Sequence, residues 1–486
     1  MNSLKRSIYY ILSVLALTYI MFSGCKKLVQ VDGPITSINS ANIYENDATA
    51  ASVLTGIYTD LSSSNIIDGR LPSISLLVGL SSDEFMLYNP INKNVNAYYT
   101  NSLEVQQGGY EFWNRIYPNL YTVNAAIEGL SNSSKLNPAV KQQLLGEAKF
   151  MRAFYLFYLV NLYGDVPLTV STDYKINSTM PRTAKAKVWD QILIDLKEAQ
   201  GLLSSEYLDA NVLKSTLERV RPTKWAANAL LARVYLYMND WVSAEKEATL
   251  LIDNSLFGLV TLDEVFKKNN REAIWQFQPV TKGFNSGEAN AFTLINKSDS
   301  DKPVLSERFL TSFDAGDQRK SIWINTVTFD NMTYYYSYKY KILTSSDPQT
   351  PVTEYSTIFR LGEQYLIRAE SRIQQSKISE GIKDLNLLRD RATDKTSGAV
   401  HLAKLSESIS QSDALKAIMH ERQIELFSEW GHRWLDLKRT QHVDEVMKNV
   451  VPEKIAGGSW KSYQQWFPLP IYDLQYNPKL LQNTGY

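Results

Sequence analysis

Cysteine is almost absent: Cys25 is the only one in 486 residues. No internal disulfide can form, so packing alone must hold the fold. Histidine is nearly as scarce, at four copies, which leaves little material for an imidazole-based metal or acid–base centre. An excess of either charge is lacking too. Lys plus Arg and Asp plus Glu each number 51, for a formal net charge of zero. A nucleic-acid binder needs a basic surface to neutralise phosphates, so nucleic acid is not an expected partner. The chain has no Gly-x-Ser-x-Gly elbow and no Gly-rich phosphate loop. No cofactor is expected.

Aromatic rings are plentiful, with 29 Tyr, 17 Phe and 10 Trp, and 44% of residues are apolar. That is enough for a sizeable core. The rings can serve in two ways: packed between helices, or facing solvent as a stacking surface.

The amino-terminal stretch reads as an address. Lys5 and Arg6 precede an apolar run from Ile8 to Phe22, which has signal-peptide length and is short for a membrane span. Ser23, Gly24 and Cys25 follow. They suit cleavage after residue 24 and acylation of the Cys25 sulfur, which would anchor the chain to the lipid bilayer. Phe22 departs from the commoner Leu at that position. The alternative is an ordinary secretory signal beside a buried cysteine. Each buried methylene of an acyl chain contributes roughly 0.8 kcal/mol, so a multiply acylated terminus holds stably. Lys26-Lys27-Leu28-Val29 carries no acidic cluster of the kind that directs such anchors to the cell surface, so the final leaflet stays open.

Residues 25–45 read as a tether with Gly33-Pro34, and 46–486 as one domain. Helical periodicity runs from Asn46 to Leu61, from Phe112 to Ile127, where Pro118 should kink or divide it, and from Gly146 to Tyr163. Gly164 suits a C-cap, with Pro167 beyond it. Lys224–Tyr237 with Trp241–Ile252, and Leu361–Ile373 with Ile378–Leu388, read as two helical hairpins. Ala226, Ala229 and Ala232 facing Ala244 and Ala248 let two backbones approach closely, as in tetratricopeptide-type repeats. The expected fold class is therefore mostly α: irregular tetratricopeptide-like helical pairs within 46–256 and 358–440, then a C-terminal segment 441–486. A mixed loop and β insertion at about 257–357 interrupts them. Trp275-Gln276-Phe277, Trp323 to Phe329 and Tyr334 to Tyr340 alternate like strands there, and the polar stretch Lys282–Asp301 reads as a flexible loop. Residues 74–99 read as a long polar and aromatic loop.

That loop and the insertion supply the candidate ligand contacts. Sugars offer C–H faces to rings and hydroxyls to amides and carboxylates. Asp83, Glu84, Tyr88, Asn96, Tyr98 and Tyr99 offer both kinds of group. Trp275, Phe284, Trp323, Tyr334, Tyr335 and Tyr336 add rings. Each could equally be a core residue. On this reading Tyr98→Ala and Trp323→Ala weaken binding without unfolding.

The stretch His420–Arg439 is the densest in charge. His420-Glu421 opens like a zinc-protease motif, but Ile424 stands where a second histidine belongs, and His432 lies beyond Gly431. No metal site is expected. Glu421, Arg422, Glu425, Arg433, Asp436 and Arg439 suit an ionic network tying two helices together. Asp314 and Asp317 lack the ligand spacing of a calcium loop and suit a turn before Arg319. No pair of carboxylates is marked for glycoside cleavage.

The same stretch resembles the C-terminal signature of the SusD/RagB family. The resemblance extends from Cys25 through Glu147–Tyr155 with Leu162–Leu168, Phe313–Arg319, Phe359–Glu370 and Phe467–Pro470 to Asn477–Tyr486. It implies an outer-membrane, lipid-anchored nutrient-binding protein, with helical pairs on one side and a ligand-bearing irregular region on the other. It implies capture of an oligosaccharide for a SusC-like TonB-dependent transporter, or the same import role with an oligopeptide ligand. A glycan-processing enzyme and a protein-binding tetratricopeptide scaffold are the competing classes. No catalytic residue is expected.

Overall fold

The computed structural model describes residues 42–63, 73–345 and 347–486. The signal sequence, Cys25 and most of the tether lie outside these residues. Tyr44–Tyr486 forms one compact unit. Helices make up most of it: α1 (Asp47–Ser63), α2 (Ile74–Ser81), strand β1 (Phe85–Tyr88), α3 (Lys93–Tyr99), α4 (Glu111–Asn132), α5 (Pro138–Tyr163) and α6 (Lys185–Leu202). Then come α7 (Lys224–Tyr237), α8 (Trp241–Ile252), β2 (Ala273–Phe277), β3 (Lys302–Leu305), β4 (Ile324–Phe329), β5 (Met332–Ser337) and β6 (Ser356–Arg360). The chain closes with α9 (Leu361–Gln374), α10 (Ile378–Ala392), α11 (Gln411–Leu426), α12 (His432–Arg439), α13 (Val443–Lys454) and α14 (Ile471–Tyr476).

Helix α5 is apolar nearly all round and sits at the centre. Asn137 caps it by accepting from the Ala139 amide, Pro138 occupies its first turn, and Gly164 ends it at φ 77°. Its charges are buried but paired. Arg152 grips Asp195 at 2.6 and 2.8 Å, and Glu147 accepts from Arg221 at 2.6 Å and from the Tyr58 hydroxyl at 2.8 Å. From α4 to α9 each helix packs on the next, and α9 packs on both α10 and α11. The contact of α8 with α9 bridges the whole insertion between them. The five alanines facing across α7 and α8 are fully buried.

Helix α4 runs unbroken through Pro118. Asn114, whose carbonyl loses its helical donor to that proline, lies on the exposed side, where water can replace it. Residues 74–99, expected as a loop, are ordered as α2, β1 and α3. The polar stretch Lys282–Asp301 contains a helix, Gly287–Phe292, whose Ala289, Ala291 and Phe292 are buried. In both stretches, tertiary burial orders segments whose local pattern is weak.

Among the described residues there are three two-stranded antiparallel sheets, of which β1–β3 ties the insertion to the segment after α2. Strand β1 pairs with β3, Phe85 opposite Leu305, and β2 pairs with β6. Strands β4 and β5 form a hairpin turned by Asp330 and Asn331, both at positive φ, as a tight hairpin turn requires.

Candidate functional site

The charged stretch on α11 and α12 is a buried ionic hub. Glu425 accepts from Arg319 at 2.9 Å and Arg360 at 2.6 Å, and also pairs with Arg391. Burial opposes its charge, but the three arginines hold the carboxyl well below the usual carboxylate range. Arg422 and Arg439 both grip Asp436 at 2.7 Å, tying α11 to α12. His432 is buried, and desolvation with the nearby Arg233 and Arg422 pushes it well below its ordinary value. Its imidazole is therefore neutral at neutral pH. His420 bonds the Ser312 carbonyl at 2.7 Å. Among the described residues no cluster of His, Cys, Asp and Glu is placed to hold a metal ion. Asp317 and Asp314 are each engaged by an arginine, Arg319 and Arg389.

Seven of the twelve candidate ligand contacts are buried. Asp83 is buried under Arg433, whose guanidinium takes both carboxylate oxygens at 2.7 and 2.8 Å. Burial works against that carboxylate, and Arg433 outweighs it, holding the acid below its ordinary value. Burial and the Asp83 charge push Glu84 up to about 8. Tyr98 is fully buried, donates to Glu111 at 2.6 Å and packs edge-on against Phe467. Tyr99 is buried beside it. Trp275 and Trp323 are fully enclosed, and their indole N–H groups serve the Val220 and Leu262 carbonyls at 2.9 Å each. Tyr336 is buried with Leu294 and Val304. For the five rings the physical reason is that they bury the most apolar area, and a core carboxylate or carbonyl satisfies the polar tips of Tyr98, Trp275 and Trp323. All seven side chains are buried in this structure.

The remaining candidates reach the surface. Tyr88 and Tyr334 meet edge-to-face at 5.0 Å, with Phe329 beside both, and the Tyr88 hydroxyl donates to the Lys297 carbonyl at 2.9 Å. Next along β5, Tyr335 is 37% exposed. Polar groups rim this hairpin tip. Lys297 pairs with Asp330 at 2.5 Å, and Asp301 accepts from the Ile91 and Asn92 amides at 2.8 and 2.9 Å. Asn96 is half-buried on α3. Phe284 lies apart, lining a small cleft of about 110 Å³ with Ser62 and Thr344.

The sequence reading passed over a larger feature. Helix α4, the loop 167–178 and the C-terminal segment around α14 enclose a cleft of about 540 Å³ lined by Trp113, Tyr117, Tyr121, Tyr174 and Tyr476. The signal for it was the i, i+4, i+8 spacing of Trp113, Tyr117 and Tyr121.

A helical-pair scaffold carrying a hairpin layer with an aromatic tip defines a class of binding protein, and comparison with known proteins gives the family. A family model described as starch-binding associating with outer membrane matches residues 75–236, and one described as the SusD family matches residues 315–486. The chain belongs to the SusD/RagB family. It is similar to the SusD-like protein P25 of Formosa agariphila, 24% identical over 77% of this chain and 79% of the relative. It is similar also to P2 of the same organism, 27% identical over 77% and 80%. Among solved structures it shares its fold with a SusD homolog from Bacteroides thetaiotaomicron, at TM-score 0.75 and 20% identity over 93% of this chain and all of the other. The fold is shared too with surface glycan-binding protein A from Bacteroides uniformis, at TM-score 0.72 and 18% identity over 90% and 99%.

Proposed function

We propose that this protein is a lipid-anchored binding protein of the outer membrane that captures an oligosaccharide and delivers it to a SusC-like TonB-dependent transporter. Family membership carries the reading: one matching family model is described as starch-binding and associated with the outer membrane. Acylation at Cys25 supplies the anchor, facing the cell surface, and binding proceeds without turnover. Half-exposed rings at the hairpin support a ligand face, because they suit a sugar's C–H groups: Tyr88 and Tyr334 pair on one side of it, and Tyr335, next along β5, stands on the other at 37% exposure.

Calorimetry against a panel of polysaccharides, hexasaccharides and peptide mixtures tests the ligand class. Glycan binding without product release is expected. Binding of peptides alone would replace the ligand and leave the import role, whereas release of shortened sugars would make the protein an enzyme. Tyr335→Ala should weaken glycan affinity several-fold with an unchanged melting temperature, and unchanged affinity would move the ligand off the Tyr335 side of the hairpin. Detergent pull-down should recover a large barrel protein, and Cys25→Ala should release the chain from the membrane fraction. Failure of either removes that part of the proposal.

A further inference from the structure

The cleft beside α4 is separate from the hairpin tip and has its own chemistry. Its floor is a ring pair, Trp113 and Tyr117, with centroids 4.6 Å apart. The polar atoms of both rings are already occupied. Trp113 Nε1 donates to Asp473 Oδ2 at 2.6 Å, and the Tyr117 hydroxyl donates to the Pro167 carbonyl at 2.9 Å. The rings are thereby fixed in place. Tyr174 and Tyr476 stand at the cleft largely in solvent, 71% and 83% exposed. Amides and hydroxyls of Asn114, Asn177 and Thr169 intersperse the rings.

We infer that this cleft is a second carbohydrate subsite and that it takes a neutral oligosaccharide. The inference rests on the glycan-binding reading above and adds a site and a ligand class to it. Three observations carry it. First, fixed rings with their polar atoms occupied offer apolar surface, the complement of sugar C–H groups. Second, Asn177 Oδ1 is shielded from solvent yet has no hydrogen-bond partner among the described residues, while its Nδ2 donates to the Ser171 carbonyl at 2.8 Å. An unmet buried acceptor costs about 1–3 kcal/mol, and turning the Asn177 amide toward the cleft would bring it to a sugar hydroxyl donor. Third, the described lining contains no Lys, Arg or His, and it does contain the half-buried carboxylate of Asp473. A uronate or sulfate would meet like charge with nothing to pair it. The enclosed volume falls within the range of small-ligand clefts, roughly 300–1,000 Å³.

The experiment is calorimetry on the full mature protein with the tightest-binding neutral hexasaccharide of a malto-, cello-, xylo- and manno-series, beside hexagalacturonate. Tyr174→Ala and Tyr476→Ala replace exposed rings, so their melting curves should match wild type. Each is expected to lower affinity or stoichiometry for the neutral sugar at least fivefold. Asp473→Asn keeps an oxygen to accept from Trp113 and is expected to bring hexagalacturonate several-fold closer to the neutral ligand. Unchanged neutral-sugar binding in both tyrosine variants overturns the subsite, and the function stands if Tyr335→Ala still weakens it. Equal binding of neutral and acidic hexamers by the wild type overturns the ligand class. Loss of barrel-protein capture in the tyrosine variants with sugar binding intact makes the cleft a protein interface and overturns both. If no glycan binds the wild type, the function itself fails and takes the subsite with it.

Discussion

Arg433 holds both carboxylate oxygens of Asp83 across 350 residues of chain, at 2.7 and 2.8 Å. The pair joins the segment between α2 and β1 to the charged motif on α12, and both side chains are largely removed from water. Removing one partner of such a pair leaves an uncompensated buried charge, at a cost of roughly 3–5 kcal/mol. Arg433→Met should therefore lower unfolding stability in urea by that order and leave glycan affinity within twofold wherever the protein remains folded. A fall in affinity at unchanged stability would return Asp83 to the binding site.

Glu84 lies next to that pair, and burial with the Asp83 charge pushes its carboxyl up to about 8. Arg433 and Lys339 oppose the shift, and Asp436 adds to it. The folded state therefore holds a proton that the unfolded chain releases near its ordinary value of about 4.3. Stability from this group is complete below that value and is lost as pH rises toward 8. Burial lowers Lys339 to about 8 and Lys454 to about 7, so in the folded state they tend to shed protons that the unfolded chain keeps until higher pH. Their contribution runs the opposite way, lost as pH drops from the unfolded value near about 10.4 toward 8 and 7. Glu84→Gln isolates the acid. It should flatten the decline in stability between pH 5 and 8 and make the variant the more stable form at pH 8, by on the order of 2 kcal/mol. Urea titrations at several pH values would show it, and parallel wild-type and variant profiles would overturn the assignment.

Tyr98→Ala and Trp323→Ala, expected from sequence to weaken binding alone, should instead destabilise the fold. Both rings are fully enclosed and hydrogen-bonded within the core. Truncating a buried ring to Ala typically costs roughly 3–5 kcal/mol, a large part of a total stability of about 5–15 kcal/mol. Thermal melts and far-UV circular dichroism decide it, and wild-type melting for either variant would place its ring outside the core.

The helical scaffold was legible because a 3.6-residue period is a local signal. The hairpins 224–252 and 361–388 declare themselves through small residues on one face and short turns between helices. The charge cluster at 420–439 was legible as a network, although its partners Arg319, Arg360 and Arg391 come from distant segments. Burial of the insertion's rings was not legible. Alternation at Trp275 and Trp323 shows which residues share a face of a strand, and only the tertiary fold shows which face is covered. Tyr98 sits among polar neighbours and reads as loop, yet Phe467, far along the chain, closes over it. The α4 cleft had half its signal in the spacing of Trp113, Tyr117 and Tyr121. Its other wall is contributed by Asp473 and Tyr476, some 360 residues away.

Gly431, between the two charged helices, is the residue on which the family motif turns. It adopts φ 68°, and a Cβ built there would lie 2.5 Å from Val78 Cγ1 on α2. Two costs follow for Gly431→Ala. The left-handed backbone costs a residue with a side chain roughly 1–2 kcal/mol, and forcing a methyl into a packed site costs about 1–3 kcal/mol more. The flanking Trp430 leaves little freedom to relax, because its indole donates to the Thr357 carbonyl at 2.8 Å and its amide to Ser75 at 3.1 Å. Denaturant unfolding of the variant should show a loss of roughly 2–4 kcal/mol. The two causes separate in a double-mutant cycle with Val78→Ala. Removing the valine methyls takes away the 2.5 Å contact and leaves the Val78 Cβ at 2.8 Å together with the backbone strain, so the glycine substitution should cost less in that background by on the order of 1 kcal/mol. An identical cost in both backgrounds would remove the Val78 methyls from the account and assign the effect to the backbone and the Val78 Cβ.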